Sequence, residues 1–438
     1  MAIHRKVVVD VRNWLQSTKR RGMALGLKGT KTVLERLNLS LPANIIHVAG
    51  SNGKGTVCAL MSTALGLADV EHVMFTSPHV VRIEERIRRN CTPVSSKEFD
   101  QALEVVYAAS QGEGIDSCVD LTFFEVTYLV AMVCSQGSEV LILETGLGGR
   151  LDATRSGPAT VSLVTSVSCE HTDILGDDLP SIAREKAAIC RPNRTLFVRK
   201  PQRQDVLEAI LEEAHSAGNA ELGEIPAPAH PIVIPIRENA SVREEAAILA
   251  QAVLQSLHFP TEILEKADLC MRWPARMQLL SIEQTSSHPY LLDAAHNPSG
   301  ITRILPELEN CIVNSAPHVN KKPVWSLLLG TSPQHDLAQF LSPVHRLCER
   351  LPPQQIVITE PQGGRYHGVP VSQLTTFFES KENLHSYSKP SDALHALSEL
   401  DREEVGLVVS LGSLYLQGNI LQSFGLTSDE FLSLYAKQ

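Results

Sequence analysis

The residues best suited to chemistry begin with one heptamer, Gly50-Ser51-Asn52-Gly53-Lys54-Gly55-Thr56. Glycines let a backbone curl until its N–H groups point at a phosphate. A helix that starts there adds partial positive charge where the anion sits. Lys54 would reach the terminal phosphates of a nucleotide, and the Thr56 hydroxyl would ligate Mg²⁺. The spacing is tighter than the common phosphate-loop pattern, and Gly55 separates Lys54 from Thr56. Taken alone, the heptamer reads equally as a Gly-rich strand-to-helix turn. The apolar run before it and the amphipathic run after it favour a nucleotide site.

Further along, the apolar run VLIL ends in Glu144. A carboxylate at the C-terminal end of a buried parallel strand stands where open α/β sheets place their chemistry, and it is a hard oxygen ligand for Mg²⁺. His171 follows the next apolar run, in Ser168-Cys169-Glu170-His171. Read singly, Glu144 is equally a helix cap or ion-pair partner, and His171 a solvated loop residue. Together with the heptamer they make a nucleotide–Mg²⁺ constellation. Lys186, in SIAREKAAIC, reads by itself as a solvated helix lysine. Arg82 and Arg86 suit an anionic substrate, or a helix on which they pair with Glu85 and Glu84. Arg276 and Asp293 flank a polar stretch that reads as a domain boundary.

These residues need elements to hold them. Short apolar runs at residues 44–49, 140–143, 159–167, 325–329, 355–359 and 405–411 read as buried strands. Helical patterns alternate with them. Val57, Leu60, Met61, Ala64 and Leu65 share one helical face, as do Ile182, Ala183, Ala187 and Ile189, with Asp178 and Pro180 as a start signal. Strand–helix alternation predicts an α/β protein built on largely parallel sheets. The Pro- and Gly-rich residues 218–235 are expected to loop out of the first domain, and the boundary is expected near residues 275–290.

The chain has 438 residues, enough for two or three domains. Its formal net charge of −10 argues against non-specific binding to nucleic acid or an anionic membrane. Nine cysteines are scattered without a C-x-x-C pair, which suggests reduced thiols in a cytoplasmic protein. No apolar run approaches the ~20 residues of a membrane span. The opening MAIHRKVVVDVRNW has only VVV before Asp10, too short for a signal-peptide core.

Eight motifs occur in order: HVAGSNGKGTV, FTSPHVVRIEERIR, TFFEVT, LETGLGGRLDAT, EHTDILGDDLPSIAREKAAI, WPARMQ, DAAHNP and GSLYLQG. From about residue 22 to about residue 418 the chain resembles the folylpolyglutamate synthase/dihydrofolate synthase family, within the Mur-ligase-like ATP-dependent amide ligases. The resemblance implies an α/β fold with an N-terminal phosphate-loop ATPase domain (residues 1–280, mostly parallel sheet, with the pterin pocket) and a C-terminal Rossmann-like α/β domain (residues 281–438). It implies ATP and two Mg²⁺ ions, with a monovalent cation as a further expectation. Gly53, Lys54, Gly55 and Thr56 would hold the phosphates. Ser77, Glu144, His171 and Lys186 would serve the metals, with Lys186 carbamylated, which reverses its reading as a surface lysine. Lys54, Glu144, His171 and Lys186 would be the catalytic set. Asn239 would lie near the adenine, Arg276 on the phosphates and Asp293 near the nucleotide. Leu121, Thr122, Phe123, Phe124, Glu125, Leu151, Asp152 and Ala153, with the loop at residues 23–29, would line the pterin side.

The implied reaction joins L-glutamate to dihydropteroate or a reduced folate, in a cytoplasmic monomer with no nucleic-acid or membrane partner. This chain departs from the family pattern at Glu170 (usually Asp), at Ala294 (usually Gly), and at Gln334-His335-Asp336, where a Lys is missing. That last change bears on glutamate binding. Two rivals remain at this stage: another Mur-type amino-acid ligase, and a nucleotide switch without ligase activity. Dependence of ATP turnover on a pterin carboxylate plus glutamate discriminates against the switch.

Overall fold

A computed structural model describes residues 10–22, 26–112, 117–364, 366–378 and 383–436. Residues 1–9, and residues 23–25 of the expected pterin loop, lie outside the described residues. The chain divides into two units. The first comprises Met1–His79, Ile83–Met271 and Leu434–Gln438; the second comprises Val80–Arg82 and Arg272–Ser433. The division thus falls at Met271 rather than near residue 280. The physical reason is hydrogen bonding: Ala294 N–H donates to Ala275 O at 2.9 Å and Met277 N–H to Asp293 Oδ2 at 2.9 Å, which ties the Trp273 segment into the second sheet.

The first unit is built on strands β1 (Asn44–Ala49), β2 (His72–Phe75), β3 (Ile87–Arg89), β4 (Thr92–Pro93), β5 (Val140–Glu144), β6 (Val161–Val164), β7 (Thr195–Arg199) and β8 (His230–Ile234). They form one sheet in the order β4-β3-β2-β5-β1-β6-β7-β8. From β2 to β8 all neighbours are parallel, and β3 and β4 close one edge antiparallel. The central strands are apolar on both faces, as buried parallel strands must be. Ile45, Val73, Phe75, Leu141 and Leu143 join a core cluster with side chains of helices Ser96–Gln111 and Phe123–Cys134. Helix Lys54–Leu67 is buried on every side from Thr56 to Leu65, not along one face. It packs against β1, β2 and β5 and beneath helices Val242–Ser256 and Leu264–Cys270.

One expectation is corrected. Residues 218–235 do not loop out, because His230–Ile234 is the eighth strand. Pro231 is tolerated there because β8 is an edge with only β7 as a partner. The turn before β8 is also anchored: Arg155 Nη1 donates to Glu224 Oε1 at 2.9 Å, and Lys31 Nζ to Leu222 O at 2.8 Å.

The second unit holds β9 (Gln278–Leu280), β10 (Tyr290–Leu292), β11 (His318–Val319), β12 (Lys322–Pro323), β13 (Trp325–Leu329), β14 (Ile356–Thr359), β15 (Leu384–Tyr387) and β16 (Leu407–Leu411). Six of them form a sheet in the order β15-β14-β13-β16-β10-β9, parallel except for β9. β11 and β12 make a separate small hairpin. This unit has its own core, around Tyr290, Leu328, Val408 and Leu416. All nine cysteines are free. Among the described residues no helix is long and apolar enough to cross a membrane.

Candidate functional site

β1 runs directly into the heptamer. Gly50 has φ +146°, and a Cβ there would meet the Thr165 hydroxyl at 1.9 Å, so glycine alone lets the loop pass the end of β6. Gly53 is the N-cap of helix Lys54–Leu67 at φ 84°, and no side chain caps that helix. Its first N–H groups have no carbonyl one turn earlier to bond, which makes this end a receptor for an anion. The rest of the loop is tied to the segment after β6. Ser51 N–H donates to Ser166 O at 2.7 Å, Ser168 N–H to Ser51 Oγ at 2.9 Å, and the Thr165 hydroxyl to Asn52 O at 2.9 Å. This is why β6 stops at Val164 although the apolar run continues to Val167: the following polar groups serve the loop instead of a ladder. Lys54 Nζ lies over its own loop, donating to Gly50 O at 2.8 Å and Ser51 O at 3.3 Å.

Glu144 ends β5 in register with Val48 of β1. It is 6% exposed and accepts the Ser77 N–H at 3.1 Å. Two of the expected metal ligands, Ser77 and Glu144, are therefore neighbours, and both offer hard oxygen. Among the described residues no group of three or more His, Cys, Asp and Glu side chains is gathered as a metal cage. A Mg²⁺ ion suits such a place, because it usually takes one or two carboxylates and completes its shell with phosphate oxygens and water. His171 is exposed, in left-handed backbone at φ 48°, at the start of the short helix Thr172–Leu175.

Lys186 is not a surface lysine. Its side chain is 2% exposed, and its Nζ donates to Glu170 Oε1 at 2.6 Å and to Gly50 O at 3.1 Å. Burial draws the ammonium below the ordinary lysine value, and the Glu170 charge opposes that shift. Burial pushes Glu170 the other way, but Lys186 and Lys54 outweigh it and hold the carboxyl low. Lys54, Lys186 and Glu170 thus meet around the carbonyl of Gly50. Glu170 as the partner of Lys186 was missed, since the two are joined only by the fold; its adjacency to His171 was the one hint.

The pterin-side residues are placed as follows. Thr122 caps helix Phe123–Cys134 in a reciprocal capping box with Glu125. Glu125 also accepts from the Thr30 hydroxyl at 2.7 Å. Leu121 is buried, and its carbonyl accepts from Arg21 at 3.0 Å. The Phe124 ring packs on Phe75. Leu151 is half-buried, and Ala153 is buried. Asp152 is buried beneath the Gly146 loop, accepting the N–H groups of Gly146 and Leu147, each at 2.9 Å. The Phe123 ring carries two cations that sequence reading passed over in this role, Lys19 Nζ at 5.1 Å and the Arg86 guanidinium at 5.2 Å. Arg86 Nε donates to His79 Nδ1 at 3.0 Å. Burial, with the charges of Arg86 and Lys19, pushes His79 down to about 3, so the ring is neutral. Arg86 lies on a 3₁₀ turn leading into β3, not on an α-helix, and Glu84 pairs with Arg12 at 2.8 Å.

Asn239 is exposed in the turn before helix Val242–Ser256 of the first unit. In the second unit Arg276 sits between two left-handed residues, Ala275 (φ 56°) and Met277 (φ 46°). Asp293 is buried, which pushes its carboxyl up, and it accepts the N–H groups of Met277 and Ala295 at 2.9 and 2.8 Å. It therefore fixes the strained loop that presents Arg276. Arg82 pairs with Asp429 within the same unit.

No protein-family model matches the chain. Over 204 residues it is 36% identical to the dihydrofolate synthase/folylpolyglutamate synthase of Escherichia coli (strain K12), covering 46% of this chain and 47% of that one. Over 336 residues it is 26% identical to the enzyme of the same name from Bacillus subtilis (strain 168), covering 70% and 77%. A crystal structure of a bifunctional folylpolyglutamate synthase/dihydrofolate synthase with Mn, AMPPNP and L-glutamate bound matches with a TM-score of 0.76 at 27% identity, over 96% of this chain and 99% of that one. The chain is thus similar, in sequence and in fold, to members of the folylpolyglutamate synthase/dihydrofolate synthase family. Its fold is the two-domain Mur-ligase fold of that family. The chain spans about half the length of the first curated relatives it matches.

Proposed function

We propose that the chain is an ADP-forming ligase that joins L-glutamate to a pterin carboxylate. Dihydropteroate is the first substrate, and extension of a glutamyl folate the second. The observation that supports this most is the uncapped helix end at Gly53, beside a strand-end carboxylate, Glu144, held by the Ser77 N–H. A structurally similar bifunctional synthase has been solved with Mn, AMPPNP and L-glutamate bound.

In this reading the N–H groups at Gly53, Lys54, Gly55 and Thr56, with the Lys54 ammonium, hold the ATP phosphates. Asn239 serves the adenine, Arg276 the phosphates, and Asp293 the nucleotide. The substrate carboxylate attacks the γ-phosphorus, giving an acyl phosphate and ADP. The glutamate amine then attacks the acyl carbon, and inorganic phosphate leaves. Phosphoryl transfer of this kind needs positioning and charge neutralisation rather than covalent help. Two Mg²⁺ ions, when bound, supply that neutralisation, with Ser77, Glu144, His171 and a carbamylated Lys186 to hold them; a monovalent cation belongs to the same set. Burial of Lys186 favours the neutral amine that reacts with carbon dioxide, while Glu170 opposes it. The pterin rests against Leu121, Thr122, Phe123, Phe124, Glu125, Leu151, Asp152 and Ala153. The first unit is the ATP- and pterin-binding domain, and the second the glutamate-ligase domain. The enzyme works as a cytoplasmic monomer.

The test is product analysis with ATP, Mg²⁺, L-glutamate and either dihydropteroate or a monoglutamyl reduced folate. The expected result is one ADP and one phosphate per glutamate joined. ATP turnover that ignores both pterin substrates would overturn the reading.

A further inference from the structure

His47 is a titratable side chain in the middle of β1, and it is fully buried. It lies in register with Leu143, the residue before Glu144. Its Nε2 is 2.7 Å from the Thr154 hydroxyl, which is buried as completely. That hydroxyl donates to Asp152 Oδ1. Asp152 also accepts the Thr154 N–H on Oδ1 at 3.0 Å and, on Oδ2, the N–H groups of Gly146 and Leu147. A chain of hydrogen bonds thus runs, within the first unit, from the strand that feeds the phosphate loop to the loop that follows Glu144. Its inner members, His47 and Thr154, have no role in the reading above.

The direction of the chain follows from what each atom can donate. A hydroxyl has one proton. If Thr154 gives it to Asp152, the His47 Nε2 must carry hydrogen and donate to the hydroxyl. In the reverse order Nε2 accepts, and the hydrogen of the neutral ring sits on Nδ1. Among the described residues Nδ1 has no partner. An unpaired buried N–H costs its full desolvation and is rarer in folded proteins than an unpaired acceptor. Nδ1 is therefore the bare nitrogen and Nε2 the donor. A second proton is excluded by burial and by the charges of Arg191 and Arg155, which together hold the ring well below the ordinary histidine value. The Thr154 proton is then committed to Asp152. Asp152 meets donors only, and these oppose the burial that pushes its carboxyl up.

We propose that His47 is a positioning residue for the pterin side of the site: its Nε2–H fixes the direction of the Thr154 hydroxyl and so holds Asp152 as a charged acceptor beneath the Gly146–Leu147 loop. This rests on the ligase reading above. The experiment measures KM for dihydropteroate, monoglutamyl tetrahydrofolate and L-glutamate, and the AMPPNP dissociation constant. The proteins are the wild type, His47→Leu, His47→Gln, Thr154→Val and the double variant His47→Leu/Thr154→Val, each with a melting curve. KM for both pterin substrates should rise about tenfold in His47→Leu and in Thr154→Val, the scale of one hydrogen bond to a charged group. The values for L-glutamate and AMPPNP should stay within about twofold of wild type. His47→Gln, whose amide nitrogen can donate from a similar place, should recover most of the loss. The double variant should be no worse than the worse single one, because both break the same chain. Fully additive losses overturn the proposal, as does a pterin KM within twofold of wild type in His47→Leu, or a rise shared equally by L-glutamate and AMPPNP. If the leucine variant fails to fold, the wild type still decides through its ¹⁵N-histidine spectrum, with the His47 signals identified by their loss in His47→Gln. Nδ1 should appear as a bare nitrogen, and a protonated Nδ1 overturns the proposal. A wild type that joins glutamate to neither substrate fails the ligase reading itself, and the same spectrum separates that outcome from a wrong direction of the chain.

Discussion

At the scale of single residues, Glu144 and Lys186 carry the sharpest expectations. Glu144 is buried at a strand end with one oxygen on the Ser77 N–H. Glu144→Gln keeps the shape and removes the charge, so turnover should fall by roughly a hundredfold, the usual scale for losing one preorganised charge, while ATP still binds weakly. Steady-state rates with calorimetric nucleotide titration check this; near-normal turnover at ordinary Mg²⁺ removes Glu144 from the catalytic set. Lys186→Ala should likewise lose activity, and small carboxylates such as acetate should restore part of it if a carbamate is what is missing. A ¹³C spectrum of wild type in labelled bicarbonate should show the carbamate carbon. Its absence, with no rescue, would leave Lys186 as the buried counter-ion of Glu170. Lys186 also shows where sequence reading ends. Its neighbours along the helix suggest a solvated side chain, and only the fold brings a carboxylate 16 residues away to 2.6 Å from it.

At the scale of elements, the phosphate loop offers a controlled pair of substitutions. Gly53 is left-handed with open space around a would-be Cβ, so Gly53→Ala should cost only about 1 kcal/mol of backbone strain. At Gly50 the new methyl would overlap Thr165, so the loop must move away from β6. Gly50→Ala should therefore lose nucleotide binding outright, and denaturant midpoints with AMPPNP titrations separate the two. Equal effects would mean that the contacts with Thr165 and Ser166 do not hold the loop. The turn before β8 supplies a pH-dependent element. Burial pushes the Glu224 carboxyl up, but its hydrogen bond to Arg155 and that charge outweigh it and hold it low. A lowered carboxylate stabilises the fold above its unfolded value, about 4.3, and that contribution is lost as pH falls through the lower folded value. Glu224→Gln leaves the fully buried Arg155 without an anionic partner and should cost about 3 kcal/mol at neutral pH, with a flatter acid limb. Urea midpoints from pH 7 down to pH 3 test it, and parallel curves for the two proteins would refute it. The central strands were legible because buried parallel strands are nearly continuous apolar runs. β8 was not, because an edge strand tolerates the Pro and Gly that otherwise signal a loop.

At the scale of the molecule, alternating strands and helices made two α/β units readable, whereas the crossing of the chain between units was not. Val80–Arg82 belong to the second unit because Val80 packs on its core and Arg82 pairs with Asp429, contacts that no local pattern announces. Each unit has its own sheet and its own apolar core, so each has the means to unfold cooperatively by itself. The tryptophans are divided conveniently: Trp14 lies in the first unit, Trp273 and Trp325 in the second. A Trp273→Phe/Trp325→Phe protein therefore reports on the first unit, and Trp14→Phe on the second. Because the phosphate loop belongs to the first unit, Mg²⁺–AMPPNP should stabilise the transition seen by Trp14. At a hundred times the dissociation constant the gain should be about 2.7 kcal/mol, by mass action on the folded form alone. Two separate urea transitions, with the Trp14 transition shifted upward by the nucleotide, are the expected record. One coincident transition from both reporters would instead mean that the units unfold as a single cooperative body. A nucleotide shift confined to the Trp273 and Trp325 signal would move the principal phosphate-binding energy out of the Gly50 loop altogether.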